Sequence, residues 1–334
     1  MTMKLFKQFL LLLSFLLSIG IAHAQPYVMK IGTATINDAQ HEWIKRFQAE
    51  IANASNDRIK VEAYPASQLG TIPRMIEQVQ FNTIQGWIGP SEFLNGVDTR
   101  FSVLGAPGVF QDADHTFRVT QDPRFTAVAL SIGEKKGIKG LGMFISGPAT
   151  FVTNKPIRRS ADFSGMKIRV TASDLAMAQI RELKAAAVPM SLGEVLPALQ
   201  QGALDGVMGN APVFSNLRYH SVAKYQTVTG QMTYVSYVAI SRLWFEKLPA
   251  DLQKVVEETG RKVTVEIHPF AVEEIERATK DWTDSGGEVL HLSEEDQRSL
   301  MERLRRVGEE TAGKRSADRE IFKLMTEVAS TTGK

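Results

Sequence analysis

Strand-like and helix-like segments alternate along this chain, and that alternation constrains its fold more than any other feature. Residues 27–35 have the composition of a strand, and Trp43, Phe47 and Ile51 then recur at four-residue spacing, which places one apolar stripe on a helix. Residues 58–64 alternate between apolar and polar in the manner of another strand. Alternating strands and helices predict an α/β sheet with helices on its faces.

The same pattern returns in the second half of the chain. Residues 166–170 are strand-like, Ser173 can cap the helix that follows, and the run from Ser191 to Glu194 has the form of a capping box. Residues 204–208 then read as a further strand. Two α/β units in one chain predict two domains with a cleft between them.

Residues 248–285 form the longest helical candidate. At 1.5 Å per residue a helix of this size would reach about 55 Å, which is more than one small domain needs. Pro269 removes a backbone donor and should bend it. We favour a single bent helix along both domains over two helices that meet near His268.

The first 24 residues predict an exported protein. Lys4 and Lys7 form a basic start, residues 9–21 are almost wholly apolar, and Ala22-His-Ala24 gives the small-x-small pattern of a signal-peptidase site. The apolar run is about 13 residues, whereas a membrane-spanning helix needs roughly 20. We therefore favour a signal peptide at residues 1–24, cleaved after Ala24 to leave a periplasmic protein, over a membrane anchor.

Composition removes several classes of function. The chain has no cysteine, so an exported fold must be stabilised by its core alone, and thiol catalysis and thiolate metal sites are excluded. Of 39 basic and 37 acidic residues, removal of Lys4 and Lys7 leaves 37 of each. A neutral chain argues against nucleic-acid binding, although a single buried arginine suffices for a small anion.

Catalytic signatures are scarce. No Gly-x-Ser-x-Gly elbow, Walker loop, His-Glu-x-x-His or EF-hand loop occurs, and the histidines are never paired at i, i+4. The run from Ser164 to Lys167 matches Ser-x-x-Lys, but it leads into a strand where that motif needs a helix start. We therefore predict no enzyme, metal site or cofactor.

One basic residue stands where a buried strand is expected. Arg169 and Lys167 share a face of the segment 166–170 by two-residue alternation. In one interpretation the strand is half-exposed and both cations are solvated. In the other, the guanidinium of Arg169 grips a ligand carboxylate with two parallel hydrogen bonds.

Several segments together resemble a known family. They read FSGMKIRV at 163–170, VPM at 188–190, LDG at 204–206 and YPASQLG at 64–70, with residues 194–202 and 237–249 fitting in order. The chain thereby resembles the solute-binding subunits of TRAP (tripartite ATP-independent periplasmic) transporters, the DctP-like family. The resemblance implies a two-domain periplasmic solute-binding protein fold with a central cleft, crossover strands near 143–154 and 233–241, and a long domain-spanning helix.

The resemblance also implies a function and domain limits. The arginine that matches Arg169 is expected to bind the carboxylate of a small organic acid, and the partners are integral membrane TRAP permease subunits. We expect domain I to comprise residues 25–147 plus about 239–284, and domain II residues 148–238 plus about 285–334. An exported hydrolase or isomerase on a similar scaffold, and a partner of a membrane sensor, remain the alternative functions.

Cleft residues should come from strand ends and helix starts in both domains. The set expected to bind ligand is Asn37, His41, Gln68, Trp87, Ser91, Phe144, Ala149, Arg169, Met190, Met208, Asn210, Phe214 and Tyr237. The chain departs from the family where Ala149 replaces a frequent arginine, where Asn210 arrives one residue late, and where Gln85 replaces a common aspartate. These changes favour a small or apolar monocarboxylate over a sugar acid.

Overall fold

The computed structural model describes residues 25–332, so the predicted signal peptide lies outside the described residues. Within that range the strands are β1 (Tyr27–Thr33), β2 (Ile59–Tyr64), β3 (Gly86–Pro90), β4 (Ile138–Thr153), β5 (Lys167–Val170), β6 (Ala186–Pro189), β7 (Gly206–Gly209), β8 (Tyr225–Ser241) and β9 (Glu288–His291). The helices of the first half are α1 (Ala39–Ala54), α2 (Ile72–Gln80), α3 (Arg100–Val103), α4 (Ala113–Gln121) and α5 (Pro123–Leu130). Those of the second half are α6 (Asp174–Glu182), α7 (Leu192–Gln200), α8 (Ala211–Asn216), α9 (Arg242–Glu246), α10 (Ala250–Glu266), α11 (His268–Asp284), α12 (Glu294–Gly313) and α13 (Ser316–Thr331).

Two long antiparallel strands, β4 and β8, connect the two halves of the molecule. The described strands follow the order β2-β1-β3-β8-β4-β7-β5-β6, and β9 also pairs with β8. Residues 236–240 of β8 pair with β3, whereas residues 225–228 pair with β9 and residues 150–153 of β4 pair with β7. Each half-sheet is therefore completed by one end of the same strand pair, and the expected crossover strands are confirmed.

Helices cover the sheet in both halves, and apolar cores lie between them. In the first half, Trp43, Phe47 and Ile51 are fully buried, and the first two stack with ring centroids 4.8 Å apart. In the second half, Leu300 of α12 packs with Ile168 and their neighbours. The apolar stripe predicted for α1 is thus its buried face, and burial of such side chains drives the packing of helix on sheet.

Helix caps fall where the sequence predicts them. The hydroxyl of Ser173 accepts a hydrogen bond from the backbone N–H of Ala176 at 3.0 Å, and that of Ser293 accepts one from Asp296 at 3.2 Å. Ser191 and Glu194 form the expected capping box at the start of α7. These bonds satisfy N–H groups that have no partner inside the helix.

The long helical segment is interrupted at one residue and runs along both halves. Helices α10 and α11 meet at Ile267, whose backbone stays in the αR region and whose N–H donates to Val263 O at 3.0 Å. Ala271 N–H in turn donates to Ile267 O at 3.0 Å, whereas Pro269 has no N–H to donate. Helix α10 packs against α1, and α11 packs against α8 and β9. The segment runs along both halves as expected, and it consists of two helices that meet two residues before Pro269, which is the alternative of two helices meeting near His268.

The C-terminal helix corrects the expected domain limits. Ile321, Met325 and Val328 of α13 are buried in the same core as Phe101 and Phe125, and α13 packs against α3, α4 and α5 of the first half. Their spacing of four and three residues forms a stripe that this surface buries. The expectation that residues 285–334 belong wholly to domain II is wrong for α13. We propose instead that domain I comprises residues 25–147, about 239–284 and α13.

None of the helices in the described part of the chain is long and apolar enough to cross a bilayer.

Candidate ligand-binding site

A cavity lies between the two halves of the molecule, at the carboxyl ends of β1, β3, β5 and β7. The cavity has a volume of about 40 Å³. The apolar residues around it are Ala34, Ile72, Ile88, Phe93, Leu192, Met208 and Val213. The residues with polar side chains are Thr35, Gln40, Trp87, Arg169, Thr171, Asn210 and Tyr234. An interdomain cleft with apolar walls and a few polar groups has the character of a small-molecule site.

Arg169 is the only charged side chain among the described residues that line the cavity. It is 3 % exposed, because β5 lies between β6 and β7 inside the second half-sheet. Its Nε and Nη2 donate to the carbonyl oxygen of Met190 at 3.0 and 2.9 Å, and its guanidinium carbon lies 5.8 Å from the centre of the Phe93 ring. These contacts fix the plane of the guanidinium without using all of its donors.

The charge of Arg169 has no salt-bridge partner within 4.0 Å in the described part of the chain. Burial lowers the pKa of this guanidinium, but an arginine stays protonated in proteins. Lys167, in contrast, is exposed at the start of β5. The interpretation with two solvated cations therefore holds for Lys167 and is wrong for Arg169. A buried cation without a direct ion-pair partner is costly, and an anionic ligand would reduce that cost.

Several buried polar atoms around the cavity make no hydrogen bond within the described part of the chain. Trp87 and Tyr234 line the cavity. Trp87 Nε1 and the Tyr234 hydroxyl are buried and make no hydrogen bond in the described structure. The same is true of the hydroxyl of Ser91 and of Oε1 of Glu92, just behind the wall. Buried polar atoms in native proteins are nearly always hydrogen-bonded, so these atoms are candidate contacts for the polar groups of a ligand.

Four of the residues expected to bind ligand line this cavity: Trp87, Arg169, Met208 and Asn210. Asn210 is 2 % exposed, and its Oδ1 accepts a hydrogen bond from Val213 N–H at 3.1 Å, which caps α8. Met190 contributes its carbonyl oxygen to hold Arg169, and its side chain packs in the second-half core. Ser91 is buried next to the wall and does not reach the cavity.

Four of the expected residues are core residues instead. Phe144 packs with the side chains around α1 and α10, Phe214 packs on Tyr219 with centroids 5.6 Å apart, and Ala149 packs with Met232. Tyr237 contacts Phe101 edge-on at 4.9 Å, and its hydroxyl donates to the carbonyl oxygens of Ala129 and Leu130. None of the four lines the cavity, so their placement in its wall is wrong.

Three further expected residues lie outside the cavity near the surface. Asn37 is exposed, and its N–H donates to Nδ1 of His41 at 3.2 Å. Gln68 is exposed in the turn that follows β2. The side chains of these residues are occupied locally or solvated, so the structure does not bring them to Arg169.

Several residues of the cavity are absent from the set expected from the sequence. Thr35, Gln40, Thr171 and Tyr234 line the cavity, and Glu92 lies behind it. Thr171 could have been found, because it stands two residues after Arg169 and so shares its face in an extended segment. For the others the sequence carries no comparable signal.

The position of Tyr237 allows a test that separates core from cleft. Replacement of Tyr237 with phenylalanine removes a hydroxyl that donates to two buried carbonyl oxygens, each at 3.2 Å. We expect the free energy of unfolding to fall by about 1–2 kcal/mol, with ligand affinity unchanged. Denaturant unfolding and calorimetry measure the two quantities on the same sample. A large loss of ligand affinity with unchanged stability would show that Tyr237 contacts the ligand, which would contradict its assignment to the core.

The chain is similar in sequence to known binding proteins. The family described as bacterial extracellular solute-binding protein, family 7 (DctP), matches residues 32–314. The C4-dicarboxylate-binding periplasmic protein DctP of Rhodobacter capsulatus is 29% identical over 302 residues, which are 89% of this chain and 90% of that protein. The 2,3-diketo-L-gulonate-binding periplasmic protein YiaO of Escherichia coli is 23% identical over 254 residues, 76% of this chain and 77% of that protein.

Solved structures of TRAP periplasmic solute-binding proteins share the fold. One from Desulfovibrio salexigens with bound orotic acid has a TM-score of 0.87 at 24% identity and covers 92% of this chain and 100% of its own. Another from Shewanella oneidensis with bound succinate has a TM-score of 0.84 at 23% identity, with the same coverage. Because the family match extends over most of the chain, this protein belongs to the DctP family of bacterial extracellular solute-binding proteins, which bind solutes for transport and are not enzymes.

Proposed function

We propose that this protein captures a small organic acid in the cavity between its domains, holds the carboxylate on Arg169, and delivers the acid to integral membrane TRAP permease subunits. The observation that carries this proposal is the buried, unpaired guanidinium of Arg169 in the wall of an interdomain cavity. Nε and Nη2 are committed to Met190 O, which leaves Nη1 and the second N–H of Nη2 for a ligand.

The relatives support an acid as the ligand. The Rhodobacter capsulatus protein is named for C4-dicarboxylates, and the compared structures hold orotic acid and succinate. Each of these ligands carries a carboxylate, for which a guanidinium fork is the matching group. We therefore extend the carboxylate contact, and no particular acid, to this chain.

The cavity favours an acid with one carboxylate. Arg169 is the single charged group among its described lining residues, so a second carboxylate would be buried without a counter-ion, at a cost of several kcal/mol. Tyr234 and Trp87 can each donate one hydrogen bond to an uncharged oxygen, such as the keto oxygen of a 2-oxo acid.

We also propose that the protein works outside the cytoplasmic membrane, after cleavage behind Ala24. The basic start and short apolar run support this proposal, as does membership of an extracellular family. Mass spectrometry of the protein from an expressing bacterium would show a chain that begins at Gln25. A chain that retains Met1 in the periplasmic fraction would contradict the cleavage site.

A ligand screen tests the proposed function. We expect 2-oxo monocarboxylates such as pyruvate and 2-oxobutyrate to raise the thermal unfolding temperature of the mature chain, with succinate and sialic acid binding more weakly. Isothermal calorimetry on each hit measures the dissociation constant. Tight binding of succinate or sialic acid, without a response to the monocarboxylates, would refute the single-charge view of the pocket and leave the Arg169 contact standing. If no organic acid in the panel binds, the proposed function is wrong.

A further inference from the structure

A buried carboxyl group stands behind the cavity wall, beside the arginine. Glu92 belongs to the short 3-10 turn Ser91–Gly96 that directly follows β3 in the first half, and it is 1 % exposed. Its Oε2 accepts a hydrogen bond from the hydroxyl of Thr171 at 3.1 Å, across the boundary between the halves. Its Oε1 is buried and has no partner in the described structure.

Among the described residues, Arg169 is the cation that acts on Glu92. The charged or titratable groups that interact with it electrostatically are Arg169 on β5 and Tyr234 on β8, with the hydroxyls of Thr171 and Ser173 as neutral neighbours. The charged residues of the helices packed on this turn are compensated elsewhere. Arg100 of α3 pairs with Asp98, and the two charged residues of α2 pair with each other.

We propose that Glu92 sets the charge of the ligand that this cavity accepts, because it shares Arg169 with the ligand carboxylate and takes up a proton from solvent when that carboxylate binds. This inference rests on the proposed function. Glu92 does not line the cavity itself. It acts on the ligand through Arg169 and Thr171, and its own charge changes how much of the charge of Arg169 is available to the ligand.

The protonation of Glu92 gives the direction of the effect. Burial raises the pKa of its carboxyl to about 7, against the opposing effects of Thr171 and Arg169. In this closed arrangement without a ligand, the carboxylate is therefore mostly ionised at pH 8 and partly balances Arg169. Separation of the halves reduces its burial, which lowers its pKa and keeps it ionised. A bound ligand carboxylate adds a second negative charge beside the same cation and raises the pKa of Glu92 further. Binding above pH 7 is then accompanied by proton uptake, and affinity falls as the pH rises, by up to about tenfold per pH unit.

The effect weakens as the pH falls below about 6. In the closed structure Glu92 is protonated there with or without ligand, so its charge no longer opposes the ligand carboxylate and the affinity depends less on pH than it does above pH 7. A ligand with two carboxylates would place a third negative charge in this region. Glu92 would then discriminate against dicarboxylates most strongly above pH 7.

Calorimetry in two buffers tests the inference, with pyruvate and 2-oxobutyrate as probes. At pH 8 the binding enthalpy of the parent protein should differ between phosphate and Tris by an amount that corresponds to nearly one proton taken up per ligand. Glu92→Gln keeps the shape and removes the titration, so its enthalpy should be the same in both buffers. The affinity of Glu92→Gln for pyruvate should be independent of pH between 6 and 8.5. The ratio of the succinate dissociation constant to the pyruvate dissociation constant should be lower in this variant than in the parent protein.

Glu274→Gln is the matched control. Burial also raises the pKa of Glu274, to about 8, but this residue lies on α11, where its Oε2 accepts from Ala39 N–H at 2.8 Å. Proton uptake should persist in this variant. Uptake that persists in Glu92→Gln, or that disappears only in Glu274→Gln, would overturn the assignment to Glu92.

A substitute variant and two outcomes for the parent protein complete the test. If Glu92→Gln does not fold, Thr171→Val replaces it: loss of the hydroxyl that lowers the pKa of Glu92 should move the fall in affinity to higher pH. A parent protein that binds pyruvate with neither proton uptake nor pH dependence contradicts the role of Glu92 alone. Failure of the parent and of every variant to bind either probe refutes the proposed function, and this inference with it.

Discussion

Replacement of Arg169 with alanine should nearly abolish binding of the organic acid. The ligand carboxylate would then enter a buried cavity without its cation, and no other charged side chain in the described lining can replace it. Removing one partner of a buried charge pair costs about 2–5 kcal/mol, which corresponds to a loss of roughly 30-fold to several thousand-fold in affinity. Isothermal calorimetry with the best ligand of the screen measures this loss.

Two companion variants sharpen the test. Arg169→Lys should also bind poorly, because an ammonium group cannot reproduce the planar fork that contacts both Met190 O and the ligand. Lys167→Ala removes an exposed cation on the same strand and should leave affinity unchanged. Circular dichroism must first show that each variant is folded, since Arg169 also satisfies a buried carbonyl. An affinity of folded Arg169→Ala within threefold of the parent would refute the carboxylate anchor.

The free protein should be more open than the structure described here. Arg169 is 3 % exposed, and contacts between the halves cover it: Thr171 donates to Glu92, and Asn216 donates to the carbonyl oxygen of Asn37 at 3.4 Å. A ligand cannot reach a buried guanidinium, so the halves must separate before capture and close afterwards. Hinge closure around a ligand is an established mode of domain motion.

Small-angle X-ray scattering measures this closure. A compact chain of this size has a radius of gyration of about 19 Å, and we expect the free protein to exceed its ligand-saturated value. Arg169→Ala at the same ligand concentration should stay open, which separates closure by binding from an effect of the solute. An unchanged radius of gyration, with binding confirmed in the same sample, would contradict the hinge.

The fold was largely predictable because its periodicities are local. The stripe from Trp43 to Ile51 identifies α1, and the run from Ser191 to Glu194 identifies the start of α7; both patterns arise within one helix. Pro269 marks the junction of α10 and α11 to within two residues. The place of α13 was not predictable, because nothing in its sequence says which of two apolar surfaces its buried stripe will meet.

The site was less predictable, because both faces of its strands are buried. Tyr234 and Tyr237 stand on the same strand, yet the first lines the cavity and the second packs in a core. Alternation alone places two residues three apart on opposite faces and does not say which face is the cleft. The pairing of β4 with β8 also shifts register near Ile145 and Pro148, which breaks the alternation at the place where the two halves join.

The shared strands β4 and β8 also limit how such a protein can diverge. Each half-sheet depends on one end of the same pair, so the gene cannot be divided into two pieces that fold and are inherited separately. A one-residue insertion in either strand that is not absorbed by a bulge would turn over the side chains on one side of the inserted residue and so disrupt a core. Substitutions and changes in the connecting loops are therefore tolerated more easily. New ligand preferences would arise by exchange of single wall residues, such as Thr35 or Thr171, around a fixed arginine.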